Sequence, residues 1–278
     1  MIALEQPIST TKLGLWIKRL AVVAFILYTI SIGYAIASIL LGTETPHWML
    51  TSTTLVFFAF AVLHAAEQLG MRSMLVFLGI TIIISFLFET VGVLTGLIYG
   101  PYYYTNKLGP KLGVVPALIP IAWFMMNYAS YAIVRAIVGE KRGRSLLWLV
   151  WISVLAAMAM TAWDLGMDPQ MTARGHWIWT AGGAYFGIPV HNFVGWLATT
   201  FVVYFLYHVY EVTQPARGWE FDNTFALLPL ATYALQGIAT IIAADALNQR
   251  APAMITFFAM GAFLFAAITR ILPPGDQR

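Results

Sequence analysis

The chain has 278 residues, 60% of them hydrophobic and only 10% charged, with a formal net charge of +3 and a mean hydropathy of +0.78. Soluble domains carry roughly a quarter charged residues, so the composition excludes an ordinary soluble domain and leaves a polytopic membrane protein. No basic run or basic–aromatic stripe suits nucleic acid, and the absence of cysteine excludes disulfides, thiolate nucleophiles, iron–sulfur clusters and cysteine-ligated zinc.

Lys12, Lys18 and Arg19 precede an apolar run with Ala35-Ile36-Ala37 near its end, which imitates a secretory signal. The run continues through Leu40 and Leu41, too long for the apolar core of a signal, so an uncleaved first helix is expected. About eight spans long enough to cross a bilayer follow the same logic. They lie near 20–41, 48–67, 74–98, 116–138, 146–164, 191–210, 224–245 and 252–271. Pro116, Pro189 and Pro252 sit at or just before helix starts, where a missing N–H costs nothing. The expected architecture is an all-α, polytopic integral membrane helix bundle, one domain over residues 1–278.

Cytoplasmic segments are enriched in Lys and Arg. With the N-terminus inside, Lys12, Lys18, Arg19, Arg72, Arg135, Lys141, Arg142, Arg144, Arg217, Arg270 and Arg278 are cytoplasmic, and Lys107, Lys111, Arg174 and Arg250 are not. Both termini are then expected in the cytoplasm of a prokaryotic cell, with the chain in its cytoplasmic membrane. Two Gly- and aromatic-rich connections open on the non-cytoplasmic side.

Those connections hold most of the polar chemistry. Residues 161–196 crowd acids, histidines, an arginine, tryptophans and glycines together, and read as a long non-helical link ending in the polar start of a helix. Long loops within compact folds are usually functional or disordered, and this aromatic content does not suit disorder. Residues 85–123 resemble it: an acid late in a helix, a glycine- and aromatic-rich loop, a Gly-to-Pro step and a tryptophan beyond, which would fit a weak internal repeat or chance. Within 176–188 the sequence suggests a small hairpin turning at Ala181-Gly182-Gly183.

Acids inside membrane helices cost about 2.5–3.5 kcal/mol at the centre. Glu89 shares a face with Ser85, Gly92, Gly96 and Tyr99 at i, i+3, i+4 spacing, small residues that let another helix approach, so it points into the bundle. Asp164 ends an apolar run, and Asp168-Pro169 is expected to start a turn. Arg174 and His176 follow as loop charges or site groups. His191 and Asn192 open a helix, where Asn is an ordinary cap, but Asn192 also shares an inward face with Trp196. Asn127 lies mid-span with Trp123 and Tyr131 on its face and suits interhelical hydrogen bonding. His64 and Glu67 are expected as an ion pair at a membrane surface.

No histidine cluster of the di-iron type occurs, nor paired Asp-rich motifs, a P-loop or a dinucleotide-binding glycine pattern. No metal or other cofactor is therefore expected. A carboxylic acid in an apolar site can be kept protonated and act as a general acid, and aromatic faces stabilise cations. That combination suits protonation of an alkene and capture of the carbocation by water.

FETVGVLTGLIYGPYYYT, AWDLGMDP, GHWIW and YFGIPVHNFVGW resemble the membrane carotenoid-biosynthesis proteins that include γ-carotene 1′,2′-hydratase and bisanhydrobacterioruberin hydratase. The likeness extends from about Glu89 to Trp196. It implies cofactor-free addition of water to a terminal isoprenoid double bond of an acyclic carotenoid end, as in lycopene, γ-carotene or bisanhydrobacterioruberin. Glu89, Asp164, Asp168, His176, His191 and Asn192 carry over as motif members. Their expected roles follow from the chemistry: Asp164 or Glu89 as proton donor, with the other acid or His176 orienting water and accepting its proton, and Asp168 in the same catalytic set. Trp163, Trp177, Trp179, Tyr99, Tyr102, Tyr103 and Tyr104 are expected against the cation and polyene, with Asn127, Arg174, His191, Asn192 and Trp196 nearby. A carotenoid end-group cyclase or a non-enzymatic pigment carrier would use similar residues.

Overall fold

Among the described residues the apolar runs become eight helices: α1 (Lys12–Leu40), α2 (Met49–Leu69), α3 (Met71–Thr95), α4 (Leu118–Val138), α5 (Leu146–Ala173), α6 (Val190–Glu211), α7 (Thr224–Ala246) and α8 (Arg250–Ile271). The computed structural model describes residues 12–139, 143, 145–215, 219, 221 and 223–272. Lys141, Arg142, Arg144, Arg217 and Arg278, used above to orient the chain, lie outside that set. Each helix is long and apolar enough to cross a bilayer. The chain is therefore an all-helical integral membrane bundle. The central helix is α4, in which every residue from Trp123 to Ala136 is buried and which packs on α2, α3, α5, α7 and α8. Helix α1 is peripheral and packs chiefly on α2 and α7.

The largest departure from expectation is α5. The helix was expected to end near residue 164, yet it continues to Ala173 with Pro169 inside it. Proline has no N–H, so the carbonyl of Leu165, four residues back, loses its helical partner. The Tyr185 hydroxyl donates to that carbonyl at 2.7 Å, which satisfies the freed group and lets the helix pass through the proline. Asp168 is thus helical, not a turn residue, and lies one turn above Asp164 on the same face.

Helix α7 uses the same device. Pro229 lies inside it and frees the Phe225 carbonyl, which accepts from His64 Nε2 at 2.7 Å. His64 Nδ1 then accepts from the Tyr128 hydroxyl at 2.6 Å. The expected surface ion pair with Glu67 is therefore corrected: His64 is fully buried and completes the backbone of another helix.

Among the described residues four short strands lie at one end of the bundle: β1 (Tyr102–Tyr104), β2 (Lys111–Leu112), β3 (Val115–Pro116) and β4 (Trp177–Trp179). Strand β1 pairs antiparallel with β4, Tyr102 opposite Trp179 and Tyr104 opposite Trp177. The expected local hairpin over 176–188 is replaced by this long-range pairing. The turn lies later, at Phe186-Gly187, both with positive φ, closing the bridge between Tyr185 and Ile188 in the manner of a two-residue turn. The two similar stretches share a helix–strand–helix order, and their strands pair with each other.

Candidate active site

Alternation along β1 and β4 sends Tyr102, Tyr104, Trp177 and Trp179 inward and leaves Tyr103 and Ile178 exposed. The two tyrosines meet Glu89, which α3 delivers from below. Both hydroxyls donate to Glu89 Oε2, at 2.5 Å from Tyr102 and 2.7 Å from Tyr104. Trp123 Nε1 donates to Oε1 at 3.2 Å. Burial, and then the facing Glu89, hold both phenols well above their ordinary values, so they stay protonated and remain donors. The loop after α3 doubles back tightly to allow this. Gly195 of α6 has no side chain because a Cβ there would collide with the Ile98 carbonyl. The room left by Gly92 is filled by the Tyr99 ring from the same loop, not by a neighbouring helix as expected.

Helices α5 and α6 build the other half. Asp164 and Asp168 are both buried, and the Asn192 amide bridges them, Nδ2 lying 3.1 Å from Asp164 Oδ2 and 2.7 Å from Asp168 Oδ2. Asp168 Oδ1 also accepts from Trp177 Nε1 at 2.6 Å and Thr172 Oγ1 at 3.0 Å. Asp164 Oδ1 is buried without a partner. Glu89 of the first stretch and Asp168 of the second line one cavity, so the acids of the two stretches converge in one place.

A cavity of about 680 Å³ opens onto this place, within the 300–1,000 Å³ typical of small-molecule sites. Glu89 and Asp168 line it, while Asp164 stands behind Asp168 and reaches it through Asn192. The aromatic wall comprises Trp123, Trp163, Trp177, Trp179, Trp196 and Tyr99 with the two inward tyrosines. Trp123 stacks on Trp196 at 4.3 Å, and Trp163 meets Trp196 edge-on at 6.2 Å. At the loop end the lining turns polar, with Arg174, His176 and Lys107. Burial, with the charges of Lys107 and Arg174, pushes His176 down to about 4, so it is neutral at ordinary pH, and its Nδ1 has no partner.

Three expected site residues are not brought here. His191 is exposed and absent from the cavity lining; of the helix-opening pair, only Asn192 turns inward. Tyr103 points outward. Asn127 is buried in α4 below Trp123 but off the cavity, its carbonyl accepting from Tyr204 at 2.8 Å. Contributors that were missed include Trp123, Thr172 and Lys107. Trp123 had a signal: it shares the inward face of its helix with Asn127.

A model of the carotenoid biosynthesis protein family matches residues 45–264. The chain belongs to this family. It is similar to a bisanhydrobacterioruberin hydratase from Haloarcula japonica, with 34% identity over 120 residues, which cover 43% of this chain and 39% of that relative. The match thus spans well under half of the relative's length. No solved structure matches the chain.

Proposed function

We propose that the protein is a carotenoid hydratase that adds water across the terminal C1–C2 double bond of an acyclic carotenoid end group, giving a tertiary alcohol without a cofactor. The observation that carries this reading is the meeting of Glu89 with a buried Asp164–Asp168 pair at one aromatic cavity, which Glu89 and Asp168 line. Glu89 receives three donors, an environment that suits a carboxylate, which only accepts. Asp164 and Asp168 are two buried acids one turn apart on a single bridging amide; like charges so placed do not both ionise, so the pair carries one proton, for which the bare Asp164 Oδ1 has room. Environments that differ this way divide donor from acceptor roles.

In the proposed cycle the Asp164–Asp168 pair shares one proton and gives it to C2 from Asp168 at the cavity wall, and the π electrons of the double bond form the new C–H bond. The cation left at C1 is tertiary and rests against indole faces, which attract cations by their quadrupole. Water adds its oxygen to C1 and loses a proton to Glu89 or to neutral His176. Exchange with water at the polar loop end returns the proton to the aspartate pair, so the net reaction consumes only water. We further place the loop end on the non-cytoplasmic side, on the Lys and Arg distribution.

The test is pigment analysis by chromatography and mass spectrometry in a host making lycopene or γ-carotene. The expected product is heavier by one water and is lost with Glu89→Gln or Asp168→Asn. An isomeric cyclised product without added water would replace the hydratase by a cyclase. An unchanged pigment profile with tight polyene binding would replace it by a carrier.

A further inference from the structure

The cavity is far longer than its reacting end. From Glu89 and Asp168 it runs down between helices to Tyr28 and Phe57, past Ile32 and Ile36 of α1 and past Gln236 and Ala239 of α7. Tyr28 lies twelve residues before the end of α1 at Leu40, about 18 Å of helix rise, and Phe57 eight residues into α2, about 12 Å. The arm therefore ends near the middle of a hydrocarbon core about 30 Å thick.

Its outer wall is α1, and the two seams beside α1 differ. The α1–α2 seam is closed by side chains from Phe25 to Ser31. Phe25 packs on Phe60 at 5.6 Å and Tyr28 on Phe57 at 4.5 Å, and Ser31 bonds Thr53 at 2.6 Å. The α1–α7 seam is held at the opposite end of the bundle, where Lys18 Nζ lies 4.9 Å from the Phe225 ring. Higher up, both helices turn toward the cavity, with the small Ala35 on one side and Ala239 and Ala243 on the other. Gly33, nearby on α1, faces open space.

We propose that this arm is the channel for the polyene chain and that the chain leaves the protein sideways into the bilayer between α1 and α7. Only the end group is enclosed at the acids. Water arrives separately through the polar mouth at Lys107, Arg174 and His176. The inference rests on the carotenoid reading above, and it explains how a cavity of 680 Å³ serves a substrate longer than itself. A membrane-dissolved polyene would never need to cross water.

The test follows entry of polyene from liposomes by quenching of tryptophan fluorescence, which needs no turnover. Five tryptophans line the cavity. Ala239→Leu and Ala239→Trp, which narrow the seam in steps, should slow quenching at least tenfold in the larger variant and by less in the smaller. Ile36→Trp on the facing helix should act alike, which covers the case in which one variant does not fold. Thr45→Trp, at the loop mouth, should leave polyene entry unchanged. Equal entry rates in folded Ala239→Trp and the parent protein, or a block by Thr45→Trp instead, would overturn the lateral channel. Polyene entry gated at α1–α7 with no water added to the pigment would keep the channel and overturn the hydratase.

Discussion

Each end of the bundle buries acids, histidines or arginine, yet the two ends are built differently. At one end Glu89, Asp164 and Asp168 face or adjoin a cavity of about 680 Å³. At the other, His208 bonds Ser153 at 2.9 Å, Tyr131 donates to Glu211 at 2.6 Å, and Arg135 lies 3.9 Å from Glu211. The void beside that second cluster is about 20 Å³, room for one water. Buried polar groups thus have two uses here. Where they bond one another around no more than a water-sized void they join helices. Where they ring open space they are available to a substrate. Intramembrane ionisable residues point to function by default, and the cavity is what separates the two cases.

The largest effect expected from breaking that contrast is at the acids. Glu89→Gln and Asp168→Asn should each lower the hydration rate about 10²–10⁴-fold, the usual yield of a general acid or base, with thermal stability little changed. Arg135→Met or Glu211→Gln should do the reverse, lowering the melting temperature while the folded fraction keeps its rate. A rate loss as large at Glu211 as at Glu89 would erase the distinction between the two ends.

Asn192 comes next. Asn192→Leu keeps the volume but removes the single donor that joins Asp164 to Asp168. Hydrogen bonds to charged groups are worth about 1.5–3 kcal/mol, which corresponds to a rate loss of roughly 10- to 100-fold. The loss should fall on kcat more than on KM, because the amide holds the acids and not the polyene. A pure KM effect would make Asn192 a substrate contact instead.

His64 sharpens the comparison from the structural side. His64→Leu leaves the Phe225 carbonyl and the Tyr128 hydroxyl without their partner, at a cost of about 1–3 kcal/mol for each unsatisfied group. Pro229→Ala restores the N–H at that position, so in the His64→Leu background it should recover part of the lost stability. Thermal unfolding of the two single variants and the double variant gives the coupling. Strict additivity would mean that the histidine does not serve the proline-freed carbonyl.

Much of the fold was legible because apolar run length alone marks a spanning helix, and α2, α4, α6 and α7 lie within a few residues of their expected limits. The failure at α5 has a local cause and a distant remedy. Asp168-Pro169 carries a turn signal, and only the Tyr185 hydroxyl, sixteen residues on, makes the helix tolerate it. Strand β4 was expected but given the wrong partner for a similar reason, since the partner of Trp177–Trp179 lies some 75 residues earlier at Tyr102–Tyr104, beyond the reach of local turn rules. For the site, the expectation that Glu89 and Asp164 lie close came from the chemistry, which needs one acid to give a proton and another group to take one, and not from any local pattern. Which face His191 or Tyr103 presents depended on a helix start and a strand phase that spacing left open by one residue.

The smallest effect expected is a shift in a pH profile. His176 sits at the polar mouth with its value near 4 instead of the ordinary 6.5. The folded protein therefore favours the neutral ring. Its contribution to stability is fully present above pH 6.5 and is lost as pH falls from there toward 4, where the folded ring also takes up a proton. If neutral His176 orients water, kcat/KM should stay level from pH 8 to about 5.5 and fall only toward 4. Lys107→Met removes one of the positive charges that hold the ring neutral, so the acid limb should move to higher pH, and His176→Gln should lack that limb. A limb at 6.5 in the parent protein, unmoved by Lys107→Met, would place the ring in open water and out of the water-handling role.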